Sequence, residues 1–265
     1  AIKAVTDFVY RNKQLGSKSC LLALDIEGAF DNAWHPGLLA RLWDISCPSN
    51  VYKLMGDFLA NRSAHLTIGN SKCSKTVTKG CPQGSVSGPI FWNIIISGLI
   101  QQLRNVPNLE IVIYADDILL MISGNSHDHI LSTLQNSLQI TGDWCEEHKL
   151  NISTDKSTLM PMYIRKREEY INHPIVTSWG LKVVTKLKYL GVMLDSKMDW
   201  YPHTQYLEEK ILRLRNNLVR CSKATWGISY HNLLTIYQKA LLPTITYAAE
   251  AWYSSISTRA KLKLR

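Results

Sequence analysis

No stretch of this 265-residue chain stays apolar for the ~18 residues that a membrane-spanning helix needs, and Lys3 and Asp7 break the N-terminus before a secretory signal can form. Both absences point to an intracellular chain, and the lack of an initiator Met points to an excerpt of a longer polypeptide. The six cysteines (Cys20, Cys47, Cys73, Cys81, Cys145, Cys221) include no C-x-x-C pair, which leaves neither a zinc site nor a disulfide framework to build on. His127 and His129 are the one close histidine pair; with no third ligand nearby they read as a solvated loop. Gly80, Gly84 and Gly88 punctuate a loop, but no Gly-Lys-Ser/Thr follows them, so this is not a phosphate-cradling P-loop. Glycine there serves instead for close approach of the backbone to another chain.

What is present is positive charge, unevenly placed. Net charge is +9, of which residues 201–265 carry +7, with ten Lys/Arg against three acids. A basic, helix-patterned C-terminal section suits the phosphate backbone of a nucleic acid. With 46% hydrophobic residues the chain can bury a sizeable core.

Two carboxylate settings carry the chemistry. In Ile111-Val112-Ile113-Tyr114-Ala115-Asp116-Asp117-Ile118-Leu119-Leu120-Met121-Ile122, an acid pair is wedged between apolar runs. Adjacent Asp residues are poor in strands and good in turns, so the spacing predicts a β-hairpin with both acids at its tip. The second setting, Leu21-Leu22-Ala23-Leu24-Asp25, is a buried strand that closes on an acid. If the two segments share a sheet, Asp25 and Asp116 meet at one edge, where carboxylates repel unless a cation separates them. Oxygen ligands favour a hard divalent ion, Mg²⁺ above all with Mn²⁺ as a substitute, and two ions ~4 Å apart would serve in-line phosphoryl transfer.

The chain resembles the reverse transcriptase region of a non-LTR (type-1) retrotransposon Pol protein. The family's motifs stand in order: Leu24-Asp25-Ile26-Glu27-Gly28-Ala29-Phe30-Asp31, Lys79-Gly80-Cys81-Pro82-Gln83-Gly84-Ser85-Val86-Ser87-Gly88-Pro89, Tyr114-Ala115-Asp116-Asp117, Leu150-Asn151-Ile152-Ser153-Thr154-Asp155-Lys156-Ser157 and Tyr189-Leu190-Gly191-Val192. The wording Asp-Ile-Glu-Gly-Ala-Phe-Asp-Asn-Ala-Trp-His further resembles the arthropod elements that insert into ribosomal RNA genes. The resemblance implies an RNA-directed DNA polymerase that adds dNTPs to a DNA primer on an RNA template. It also implies an endonuclease elsewhere in the parent protein, and a nuclear site of action.

It implies roles as well. Asp25 and Asp116 are the metal ligands, with Asp117 as the less directly coordinated third acid and the Ile26 carbonyl as an extra oxygen. Lys156 matches the lysine that protonates leaving pyrophosphate or holds its charge. Phe30 stands where a ring lies under the sugar to exclude a 2′-hydroxyl. Gln83 and Gly84 contact the template and nascent pair, with Tyr114 beside them at the substrate; Ser87 departs from the family's apolar residue there. Tyr189, Leu190 and Gly191 form the turn that grips the primer end, although a plain core hairpin fits these residues equally well.

The fold class expected is α+β: a right-hand polymerase palm, an antiparallel sheet with helices on one face, over residues 1–200 with a remnant of fingers, then a basic helical thumb over 201–265. Most of the fingers section is expected to be missing. Local patterns predict a helix to about Gln14, helices opened by Pro36 and Pro48, a hairpin of 65–68 and 74–78 around a 69–72 loop, and helices over 89–103 and 128–148. Another palm polymerase, such as an intron-encoded maturase or an RNA-templated RNA polymerase, is one alternative. A decayed nucleic-acid-binding relic is the other.

Overall fold

The structure is a computed structural model that describes residues 1–81, 84–163, 168–221 and 227–263. In chain order the elements are α1 (Ile2–Gln14), β1 (Lys18–Asp25), α2 (Ala29–Asn32), α3 (His35–Asp44), α4 (Ser49–Leu59), β2 (Ser63–Ile68), β3 (Ser71–Thr76), α5 (Ser87–Leu103), β4 (Leu109–Tyr114) and β5 (Asp117–Gly124). There follow α6 (His127–Glu147), β6 (Thr158–Met162), α7 (Glu168–Ile171), α8 (Pro174–Ser178), β7 (Lys182–Val183), β8 (Lys186–Tyr189), β9 (Val192–Asp195) and α9 (Tyr201–Cys221). The C-terminal section continues with α10 (Tyr230–Ile236), a π-helical turn (Tyr237–Leu241), α11 (Leu242–Thr246), α12 (Ala249–Trp252) and α13 (Thr258–Lys263).

The central sheet runs β4-β5-β1-β6-β7. Its first four strands are antiparallel, and β7 joins in parallel through Thr158–Lys182 and Leu159–Val183. β1 and β5 are near-continuous apolar runs because both faces are covered. Cys20, Leu22, Leu24, Ile118, Leu120 and Ile122 point into one core, with Trp92, Ile95 and Leu99 of α5 and Leu134 and Leu138 of α6. This is the layer of helices expected for a palm. Leu21, Leu119 and Met121, at the alternate positions, enter a second core with Val5 and Phe8 of α1 and Tyr189, Val192 and Leu194 of the β8–β9 hairpin. Fully burying such side chains contributes about 1.5–3 kcal/mol each before entropy is subtracted.

That second core also takes in Leu207, Trp252, Ile256 and Ala260, so the C-terminal helices pack back onto the sheet across residue 200. Trp200 Nε1 donates to Tyr10 Oη and Ser255 Oγ, both at 3.0 Å, pinning α1 to this section. Asp195 organises the entry to α9 by accepting backbone N–H bonds from Lys197 (3.0 Å), Asp199 (3.2 Å) and Trp200 (3.0 Å).

Local expectations hold for α1, α3, α4 and the long helices, with shifts at the ends. The β2–β3 hairpin closes more tightly than expected: Ile68 pairs with Ser71, leaving a two-residue Gly69-Asn70 turn with Gly69 at φ +58. His127 and His129 fall in the first turn of α6, whose N-cap Ser126 accepts the His129 N–H, and His127 packs edge-on to Tyr170 at 4.3 Å. Cys20, Cys81 and Cys145 are buried, whereas Cys73 is exposed. No helix among the described residues is long and apolar enough to cross a membrane.

Candidate active site

β1 lies between β5 and β6, so the strand that ends in Asp25 is flanked by the strand that begins with Asp117. In this register Asp25 is the direct cross-strand partner of Asp117, and Tyr114 pairs with Asp117 from the other side. The sequence places both acids at the hairpin tip; the structure puts Ala115 and Asp116 in the turn and makes Asp117 the first strand residue. Asp117, the acid expected to be less directly engaged, is therefore the one held opposite Asp25. Directly opposed residues project to one face. Alternation from Leu119 and Leu21 makes it the face that carries the β8–β9 hairpin.

Electrostatics follow from this crowding. Burial raises the Asp117 carboxyl above the usual range, and the neighbouring charges of Asp116 and Asp25 push it further. Tyr189 closes the space beneath: its buried phenol is pushed up to about 12, first by desolvation and then by the Asp117 charge. Lys156 Nζ meets Asp25 Oδ2 at 3.2 Å. The turn that delivers it is clamped to β1, since Ser153 N–H donates to the Asp25 carbonyl (2.8 Å), Ser157 N–H to Ser153 (2.9 Å) and Asp25 N–H reaches the buried Ser157 Oγ (3.4 Å).

Ile26 bridges Ile152, but the hydrogen bonds of that bridge belong to its neighbours, Glu27 N–H to Asn151 (2.9 Å) and Ser153 N–H to Asp25. Its own carbonyl is consequently turned away from Ile152, to the β5 side of β1. Glu27 is exposed and stays outside this group.

A buried tryptophan ties the parts together. Trp92 Nε1 donates to the Ala115 carbonyl at 2.7 Å, fixing the turn in which Ala115 takes φ +55, and its ring lies 5.8 Å from that of Phe30. Nothing in the motifs singled it out; the available signal was an indole N–H inside an apolar helix, which requires a partner when buried. Phe30 sits in α2, started by Gly28 at φ +53 and closed by Asn32 Nδ2 donating to the Glu27 carbonyl (2.9 Å).

At Gly80 the glycine loop approaches this chain's own backbone. A Cβ on Gly80 would stand 2.9 Å from the Asp31 carbonyl oxygen, Gly80 N–H donates to Ala33 and Cys81 N–H to Phe30, both at 2.7 Å. Gly84, at φ +80, has open space on its Cβ side, and Tyr114 is 61% exposed. Gln83 lies outside the described residues.

Leu190 (φ +45) and Gly191 (φ +80) form the β8–β9 turn, with two successive left-handed residues as a type I′ hairpin turn requires. Tyr247 Oη donates to the Leu190 carbonyl at 3.1 Å, bracing that turn from the C-terminal section.

The donors fit a hard divalent cation: carboxylate oxygens and a carbonyl at one sheet end. Among the described residues no group of three or more His, Cys, Asp and Glu closes on a metal position by itself.

Residues 2–194 match the reverse transcriptase (RNA-dependent DNA polymerase) family, and the chain belongs to it. Members of this family work with divalent metal ions. The chain is similar to a 115 kDa protein in type-1 retrotransposable element R1DM of Drosophila melanogaster, 31% identical over 234 residues that cover 88% of this chain and 22% of the relative. It is 28% identical to a Pol polyprotein from type-1 retrotransposable element R1 of Bradysia coprophila, over 89% of this chain and 23% of that protein. The RNA-directed DNA polymerase from mobile element jockey of Drosophila melanogaster is also 28% identical, over 86% and 25% respectively. The chain thus spans about a quarter or less of these relatives' length. Among solved structures, apo telomerase from Candida tropicalis shares the fold, with TM-score 0.55 and 10% identity over 97% of this chain and 46% of that one.

Proposed function

We propose that this chain is the polymerising part of a non-LTR retrotransposon Pol polyprotein and extends a DNA primer with dNTPs on an RNA template. The observation that carries this reading is the cross-strand pairing of Asp25 with Asp117 beside Asp116, with Lys156 on the Asp25 carboxylate.

Asp25 and Asp116, with the Ile26 carbonyl, would hold two Mg²⁺ ions, and Asp117 would supply a third negative charge that favours them over a single cation. When bound, the ions supply Lewis-acid activation of the primer hydroxyl and neutralise phosphate charge. Mn²⁺ can replace them. Phosphoryl transfer needs mainly position and charge, so no side chain acts as nucleophile. The remaining residues position. Tyr189, Leu190 and Gly191 present the primer end, with the Tyr247 hydrogen bond stiffening their turn. Phe30, packed on Trp92, lies under the sugar and excludes a 2′-hydroxyl. Gln83, Gly84 and Tyr114 lie along the template and the incoming pair. Lys156 holds or protonates the leaving pyrophosphate.

Residues 1–200 act as palm and 201–265 as thumb, whose net charge of +7 suits the duplex backbone. The parent polyprotein carries an endonuclease and works in the nucleus. The test is addition of dNTPs to a primer annealed to RNA by the full polypeptide in Mg²⁺, with and without chelator. Metal-dependent extension supports the reading; binding of template and primer without addition supports the relic instead.

A further inference from the structure

We infer that Lys156 is a built-in competitor for the site's own cation, resting on the reading above that Asp25 is a metal ligand. Its ammonium lies 3.2 Å from Asp25 Oδ2, on the carboxylate that the reading above gives to the ion. The contact is a product of construction rather than of a free side chain finding a partner. The Ser153–Ser157 turn is closed by a 2.9 Å hydrogen bond and fastened to Asp25 through the Ser153 N–H at 2.8 Å and the Ser157 hydroxyl at 3.4 Å. Ser157 itself is fully buried.

The lysine side chain is 70% exposed and can leave into solvent, whereas Asp25 is 30% exposed and anchored. Such an exposed pair is weak and screened, so it holds a carboxylate without blocking it. With the metal absent, Lys156 offsets part of the repulsion among Asp25, Asp116 and Asp117. Metal entry displaces it, and the released ammonium becomes available to the leaving pyrophosphate only in the loaded site. One residue therefore lowers metal affinity and raises turnover.

The test is a titration of this chain with Mn²⁺ alone, reading free Mn²⁺ by electron paramagnetic resonance, for wild type, Lys156→Gln, Lys156→Arg and Asp25→Asn. Circular dichroism and thermal melts confirm that each variant is folded. Lys156→Gln should bind Mn²⁺ two- to fivefold more tightly while losing primer extension; Lys156→Arg should keep the wild-type affinity. Unchanged or weaker Mn²⁺ binding in Lys156→Gln would overturn the inference. A wild type that binds no Mn²⁺ beyond Asp25→Asn, together with a full polypeptide that extends no primer, would instead overturn the polymerase reading on which it rests.

Discussion

Asp25 and Asp117 are direct partners across the β1–β5 ladder, two carboxylates held opposite one another at the end of strands that pack apolar side chains on both faces. Like charges so placed destabilise the fold, by a few tenths to about 1 kcal/mol. Asp117→Asn should therefore raise the melting temperature in metal-free buffer while abolishing extension. Mg²⁺ should stabilise the wild type more than the variant. Differential scanning calorimetry with and without Mg²⁺ reads both effects.

Trp92 joins the aspartate turn to Phe30. Trp92→Phe keeps most of the packing but removes the 2.7 Å bond to the Ala115 carbonyl, a loss of about 1 kcal/mol in urea titrations. Extension should fall by more than this stability change explains, because Asp116 loses its fixed position.

Phe30→Ala should raise incorporation of ribonucleotides relative to deoxynucleotides, measured as the ratio of kcat/KM for the two. Unchanged discrimination would place the sugar gate elsewhere.

Gly80 and Gly84 both take positive φ, but only Gly80 is hemmed in by backbone. Gly84→Ala should cost about 1 kcal/mol for its conformation alone. Gly80→Ala should cost distinctly more, since its Cβ would drive the loop off the Asp31 carbonyl and carry Phe30 with it. Equal losses in denaturant titrations would refute the contact.

His203 is buried at 1% exposure against Trp252, Trp200 and Tyr206, and desolvation lowers its pKa to about 4. A histidine with a depressed folded pKa binds fewer protons folded than unfolded, so its stabilising contribution is full above about 6.5 and lost as pH falls toward 4. Lowering pH from 7.5 to 5 should cost about 2 kcal/mol through this residue, and His203→Phe should flatten that part of the stability profile.

The acids and the sheet were readable from the chain because they break patterns: Asp25 ends an apolar strand, and Asp116-Asp117 interrupts one. Which acid of the pair faces Asp25 was not readable, because a one-residue difference in turn length reassigns every strand partner. The β2–β3 loop was misjudged for the same reason: Gly69-Asn70 alone suffices to close it. The roles of Trp92 and Ser157 were not readable because they depend on contacts distant in sequence, to Ala115 and Asp25. The second core, which binds α1 to Trp200 and Ser255, likewise rests on long-range packing that periodicity cannot convey.

The most direct measurement compares wild type with Asp116→Asn in the full polypeptide, following template–primer binding and Mg²⁺-dependent dNTP addition side by side. Loss of addition with binding nearly intact is expected if Asp116 holds the ions that drive transfer. Parallel loss of binding and addition would mark a folding defect, and undiminished addition would remove Asp116 from the chemistry.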